Sequence, residues 1–121
     1  MEYSHVELQT YRGVDRELYS GTVTTVAVDT KATPEDVMVF KEATFFLKCS
    51  AFAGATLDVK IVSYDPATAT WYDLVAFTQL AGTGSERKAV TGNLGSKIAV
   101  VVTPAGAGNK TLKVGANFKI M

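Results

Sequence analysis

The chain has 121 residues, enough for one domain with a core of its own and no need of disulfide staples. Apolar residues make up 47% and charged residues 20%, a balance that excludes a disordered chain. Lys plus Arg and Asp plus Glu each number 12, so the formal net charge is zero, which argues against a general grip on nucleic acid or on an anionic membrane.

Residues 1–21 differ in character from the rest of the chain. Glu2, Glu7, Arg12, Asp15, Arg16 and Glu17 are interleaved with Tyr3, Tyr11 and Tyr19, and neither strand alternation nor a helical stripe is sustained. A frayed terminus is the plain reading. Tyrosines among charges also suit an N-terminal arm that leaves its own domain and lies on a neighbouring subunit, since each buries a ring and keeps a polar tip. The arm is the expectation, with Tyr3, Tyr11, Arg12, Arg16 and Tyr19 as subunit or capsid contacts. The start of the chain has no basic segment and no apolar run of signal-peptide type, so a soluble protein made in a reducing cytoplasm is expected.

From Thr22 the pattern turns to strand. Val23, Val26 and Val28 among threonines form a β-branched run. Thr33-Pro34-Glu35-Asp36 has the form of a helix start, but Val37-Met38-Val39-Phe40 is a poor helix, so a turn is expected there. Phe45, Leu47, Cys49 and Ala51 share one face of the next strand. Ala53-Gly54-Ala55 then reads as a tight connection, predicting that this strand pairs antiparallel with the one starting at Leu57. The stretch from Leu57 to Thr78 reads as a hairpin: Leu57, Val59 and Ile61 on one face, a stop at Asp65-Pro66, then alternation from Trp71 to Phe77.

A loop at Gly82-Thr83-Gly84-Ser85 precedes a strand whose Glu86, Arg87 and Lys88 suit a sheet edge. Lys97 to Thr103 is the most apolar strand and belongs inside a sheet. Pro104 to Asn109 reads as a flexible loop, and the last strand points Leu112, Val114, Ala116 and Phe118 inward. About seven strands with turns every eight to twelve residues predict an all-β fold, an antiparallel β-sandwich or jelly roll over 22–121.

The search for chemistry yields little. One cysteine, Cys49, excludes an intramolecular disulfide, and with His5 the sole histidine no His/Cys metal cluster forms. Cys49 on an apolar face reads as a buried structural thiol rather than a nucleophile. Gly82 and Gly84 lie between strands, not before a helix, so they make no phosphate cradle. Asp58 and Asp73 on neighbouring strands are read as surface charges rather than a hydrolytic pair. No enzyme and no cofactor is expected. Tyr64, Trp71 and Tyr72 are the candidates for an aromatic surface, such as one that stacks on a sugar ring.

The segments ATLDVKIVSYDPATATWYDLVAFTQLAGTG, GSKIAVVVTPAG and KTLKVGANFKI together resemble small virion proteins of tailed bacteriophages. In that group a strand ending in a "DP" or "DG" loop is followed by an aromatic pair and "DL…F", then a Gly-rich step. The resemblance covers about residues 43–120 and carries no catalytic signature. It implies a capsid decoration (cement) protein, β-rich, trimeric and bound to a major capsid protein, located on the capsid surface of the virion. A carbohydrate-binding module using Trp71, Tyr72 and Tyr64 is the alternative, and a tail or baseplate component the third reading.

Overall fold

The computed structural model describes residues 13–120. Its elements are β1 (Val14–Val23), β2 (Val28–Asp29), β3 (Glu35–Asp36), β4 (Glu42–Ala51), β5 (Thr56–Asp65), β6 (Thr70–Ala76), β7 (Gly84–Thr91), β8 (Lys97–Ala105) and β9 (Lys110–Lys119). One sheet runs β1-β9-β4-β7; the other runs β2-β8-β5-β6, with β3 also beside β8. Every pairing is antiparallel. Taken as one interrupted strand, β2 and β3 bring each sheet to four strands. The chain then passes between sheets in the order of a jelly roll. The interruption has a local cause. Thr30 takes over the ladder between the two pieces, its hydroxyl accepting from the Val100 amide at 2.8 Å while its own amide donates to the Val100 carbonyl at 3.0 Å. Pro34 comes next and has no N–H to continue it.

The inner faces meet in one core. Phe45, Leu47, Leu57, Val59, Ile61, Ile98, Val100, Leu112, Val114 and Phe118 are all buried, each contributing about 1.5–3 kcal/mol by leaving water. Phe118 is held between two rings, stacked on Phe40 at 4.8 Å and edge-on to Phe45 at 6.1 Å. As expected, β8 is an interior strand, β7 is an edge, and Leu112, Val114, Ala116 and Phe118 point inward.

Several expectations change. The segment 1–21 is not wholly an arm: Val14–Val23 is a sandwich strand paired with β9, so the boundary expected at 21/22 falls inside β1. A β-bulge at Leu18 hides the alternation there, because Val14 and Arg16 share a face with Tyr19, Gly21 and Val23 only once one residue is skipped. The valine-threonine run is not one strand; it ends β1, bends, and supplies β2. And β4 does not pair with β5. The short link crosses from one sheet to the other, with the Ala53 amide donating to the Asn109 carbonyl and the Ala55 amide to the Ala105 carbonyl. Ala51 is consequently exposed, past a second bulge just beyond Cys49.

The loop read as flexible, Pro104 to Asn109, is pinned. Lys110 is fully buried, and its ammonium donates to the carbonyls of Thr24 at 3.0 Å, Gly106 at 2.9 Å and Gly108 at 3.1 Å. These three bonds use all its donors, and the charge sits 5.8 Å from the Phe52 ring. Pro104 itself lies in β8, opposite Leu57, where it has no amide to give. The amide and carbonyl of Leu57 bond Leu80 on its other side, at 2.9 Å each, so Leu57 asks no bond of Pro104.

Candidate functional site

The hairpin β5–β6 places the predicted aromatic residues at one end of the sandwich. Asp65 shapes its turn: one carboxylate oxygen accepts from the Ala67 amide, the other from the Thr68 amide and hydroxyl, the last at 2.8 Å. The Thr68 hydroxyl bond, foremost, holds the Asp65 carboxyl below its ordinary pKa. Tyr64 faces Trp71 across the ladder and Ser63 faces Tyr72. Cross-strand partners share a face. Tyr64 and Trp71 therefore lie on the outer face, their rings 5.1 Å apart and tilted by 56°, with the Lys97 ammonium 4.7 Å above Tyr64. Tyr72 lies on the opposite face, the one that carries Ile61 into the core.

The three rings thus do not form one row. A β-bulge at Leu74 adds a further turn, since Ile61 pairs with Val75 but Val62 pairs with Asp73. Trp71 and Asp73 point outward, whereas Val75 and Phe77 point inward. The uniform alternation expected from Trp71 to Phe77 stops at that bulge.

At this end, between the β5–β6 hairpin and two loops, lies an open cleft of about 510 Å³, lined by Met38, Ser63, Tyr72, Asn93, Gly95 and Ser96 among others. Its floor is fixed by backbone capture: the Ser63 hydroxyl donates to the Leu94 carbonyl at 2.8 Å, and the Ser96 hydroxyl to the Tyr64 carbonyl at 3.2 Å. Gly95 needs its φ of +87°, and a side chain there would collide with Ser63. Val37 is buried and anchors the neighbouring loop through its amide on the Ser96 carbonyl. Met38 and Val39 are thereby pushed into solvent, 72% and 68% exposed, beside Tyr72 at 51%. The sequence expectations did not include this apolar rim. Its signal was the poor helix itself: a branched apolar run that must turn rather than bury a stripe.

Of the expected contact residues, Arg16 and Tyr19 sit in β1. Arg16 pairs with Glu35 at 3.3 Å across the sandwich edge, and Tyr19 is half-buried against the core. Tyr3, Tyr11 and Arg12 lie outside the described residues. Asp58 accepts from Gln79 at 3.0 Å and Asp73 pairs with Lys60 at 2.8 Å, so both carboxylates are engaged at the surface. Cys49 is buried, its thiol donating to the Ala51 carbonyl at 3.3 Å, and burial raises its pKa. Among the described residues, no group of three or more His, Cys, Asp or Glu is placed to hold a metal ion.

No family model and no curated protein matches the chain. Solved structures share its fold at low identity. The PBSX exported protein XepA aligns at 9% identity and TM-score 0.66, covering 89% of this chain and 37% of its own, so this chain spans little more than a third of it. A Bacillus endospore appendage pilus protein aligns at 12% and 0.57, covering 92% of this chain and 90% of its own. The SPBc2 prophage-derived protein YomS aligns at 14% and 0.50, covering 88% and 93%. A Clostridium thermocellum xylanase structure holding CBM22-1 and GH10 modules aligns at 8% and 0.50, covering 88% of this chain and 29% of its own.

Proposed function

We propose that this chain is a structural virion protein, in its finer form a capsid decoration (cement) protein that binds the outer capsid surface and bridges capsomers. The observation that carries the reading is the apolar rim of Met38, Val39 and Tyr72 at one end of a stiff sandwich. Exposed side chains of that kind, held by buried anchors such as Val37, suit a docking end rather than a reaction site. The phage-type pattern over residues 43–120 and the fold shared with a prophage-derived protein support it. A shell under outward load needs subunits that oppose separation, which calls for rigidity and symmetric contacts rather than catalysis. The partners are then further copies of the chain, as a homotrimer, and a major capsid protein, with no enzyme activity; the protein is made in the host cytoplasm and ends on the virion. A tail or baseplate role would use the same rim. Light scattering of the full chain tests the assembly: a mass three times the 12.9 kDa chain is expected, and a monomer at every concentration would sink the trimer.

The sugar-binding alternative rests on the Tyr64–Trp71 pair, which lies on the outer face. The tilt between its rings and the position of Tyr72 on the other side leave no flat platform of three. Titrating soluble xylan while following Trp71 fluorescence separates the readings. Saturable quenching that disappears in Trp71→Ala would favour the sugar module, and an unchanged signal is expected.

A further inference from the structure

The outer face of the β1-β9-β4-β7 sheet carries a groove that the fold does not need. Register places Glu17, Gly115, Phe46 and Arg87 in one row across the four strands, and Ser20, Lys113, Lys48 and Ser85 in the next. Phe46 is 42% exposed and stands beside Gly115, whose missing side chain opens a groove of about 540 Å³ lined also by Lys48, Lys113 and Arg87. Gly115 is not required by its backbone: its φ is not in the left-handed region, and an added Cβ would first meet the Arg16 carbonyl at 3.4 Å. Lys48 and Lys113 lie directly opposite each other, an arrangement that destabilises a sheet. Among the described residues none of Lys48, Lys113 and Arg87 has a carboxylate within ion-pair distance. The carboxylate of Glu86, which also borders the groove, is engaged by the amide and hydroxyl of Thr78. An exposed ring, a glycine floor and three cations call for an extended segment that brings carboxylates and apolar side chains together.

We propose that the groove receives residues 1–12 of a neighbouring copy of this chain. Up to residue 11 that segment carries Glu2 and Glu7 and neither Lys nor Arg, with Tyr3, Val6, Leu8 and Tyr11, the complement of the groove in charge and apolar character; Arg12 follows at its end. Twelve residues reach about 40 Å when extended. The direction of β1 selects a neighbour over self. The strand enters at Val14, level with Phe118, and runs towards Val23, whereas the groove lies level with Glu17 to Ser20. The described chain thus begins at the end of its own sheet, beyond the level of its groove, which favours a neighbour's groove as the receptor for the residues before it. The proposal rests on the assembly reading and gives the arm its receptor.

Zero-length carbodiimide cross-linking of an equal mixture of ¹⁵N-labelled and unlabelled full chain, with light scattering in parallel, tests it. Mixed-label peptides joining Glu2 or Glu7 to Lys48 or Lys113 are expected. Links of one label only would place the segment on its own copy and overturn the proposal, as would links to other lysines or none. Lys48→Glu with Lys113→Glu should weaken assembly about tenfold, the size of a few surface ion pairs. Adding Glu2→Lys and Glu7→Lys to that variant should restore it, and a failure to restore counts against the pairing. A trimer without these links removes the proposal and leaves the assembly reading standing; a monomer removes both.

Discussion

The two ends of the sandwich are built on opposite terms. At one end Thr24, Ala53–Ala55 and Gly106–Asn109 close around the Lys110 ammonium, and the link amides of Ala53 and Ala55 add two backbone bonds. At the other, Ser63, Ser96 and Val37 hold the loops from beneath, while Met38 and Tyr72 border an open cleft and Val39, next to Met38, is also left in solvent. One end commits a charged side chain to satisfying carbonyls; the other leaves apolar side chains without cover. The tied end holds its loops together, and the open end presents a surface. Substitutions at the two ends should accordingly fail in different ways.

The largest effect is expected at Lys110. Lys110→Met keeps the aliphatic stem but leaves the part-buried carbonyls of Thr24, Gly106 and Gly108 without their charged donor, a bond worth about 1.5–3 kcal/mol each before water takes any of them over. A loss of about 3 kcal/mol or more in urea unfolding is expected, and a loss below about 1 kcal/mol would show that water replaces the ammonium. Gly54→Ala at the same end comes next. Its φ is +114°, and a Cβ would lie 2.7 Å from both the Ala107 carbonyl oxygen and Lys110 Nζ, so a cost of about 1–3 kcal/mol is expected. Gly82→Ala, which meets nothing within 4 Å, is the control and should be nearly neutral. At the open end, Met38→Ser with Tyr72→Ser should change stability by no more than about 0.5 kcal/mol. The same pair should abolish retention of the protein on particles that bind the unaltered chain, and undiminished retention would move the docking surface away from this rim.

The fold was legible in the sequence wherever periodicity survives. Leu57, Val59 and Ile61, and Leu112 to Phe118, keep strict alternation, and all are buried as that alternation predicts. The same parity extended back by one step points Lys110 inward, and it is buried. The strand β1 was missed because Leu18 is a bulge, and β6 was misphased because Leu74 is one. A bulge is defined by the partner strand, which local sequence does not contain. The β4–β5 link failed for a related reason: a short glycine-containing loop fits a hairpin, but whether it also crosses between sheets depends on β8 and β9. The aromatic trio does not share one face, since adjacent positions such as Trp71 and Tyr72 point to opposite faces of the strand. The groove at Phe46 needed register between β4 and β9, which no single stretch encodes.

The smallest expected effect compares two carboxylates near the two ends. Glu86 reaches from β7 to Thr78, accepting from its amide at 2.7 Å and its hydroxyl at 2.9 Å, so it ties one sheet to the segment leaving the other. The backbone bond, foremost, holds its pKa below the ordinary value. Asp65 is lowered too, but its partners lie within three residues and shape only the turn. A carboxyl whose folded pKa is depressed contributes stability above its unfolded pKa, and that contribution is lost as pH falls through the folded pKa. For both, the contribution is full at neutral pH and is lost below about pH 4.5, where unfolded Asp and Glu begin to take up protons. Unfolding by urea across this acid range should show a shallower fall in stability for Glu86→Gln and for Asp65→Asn than for the unaltered chain. Glu86→Gln should also lose stability at neutral pH, because its bonds span two sheets. Asp65→Asn retains an acceptor for the turn amides and should lose less there. Equal losses at neutral pH would mean that the turn matters to the fold as much as the clasp between sheets.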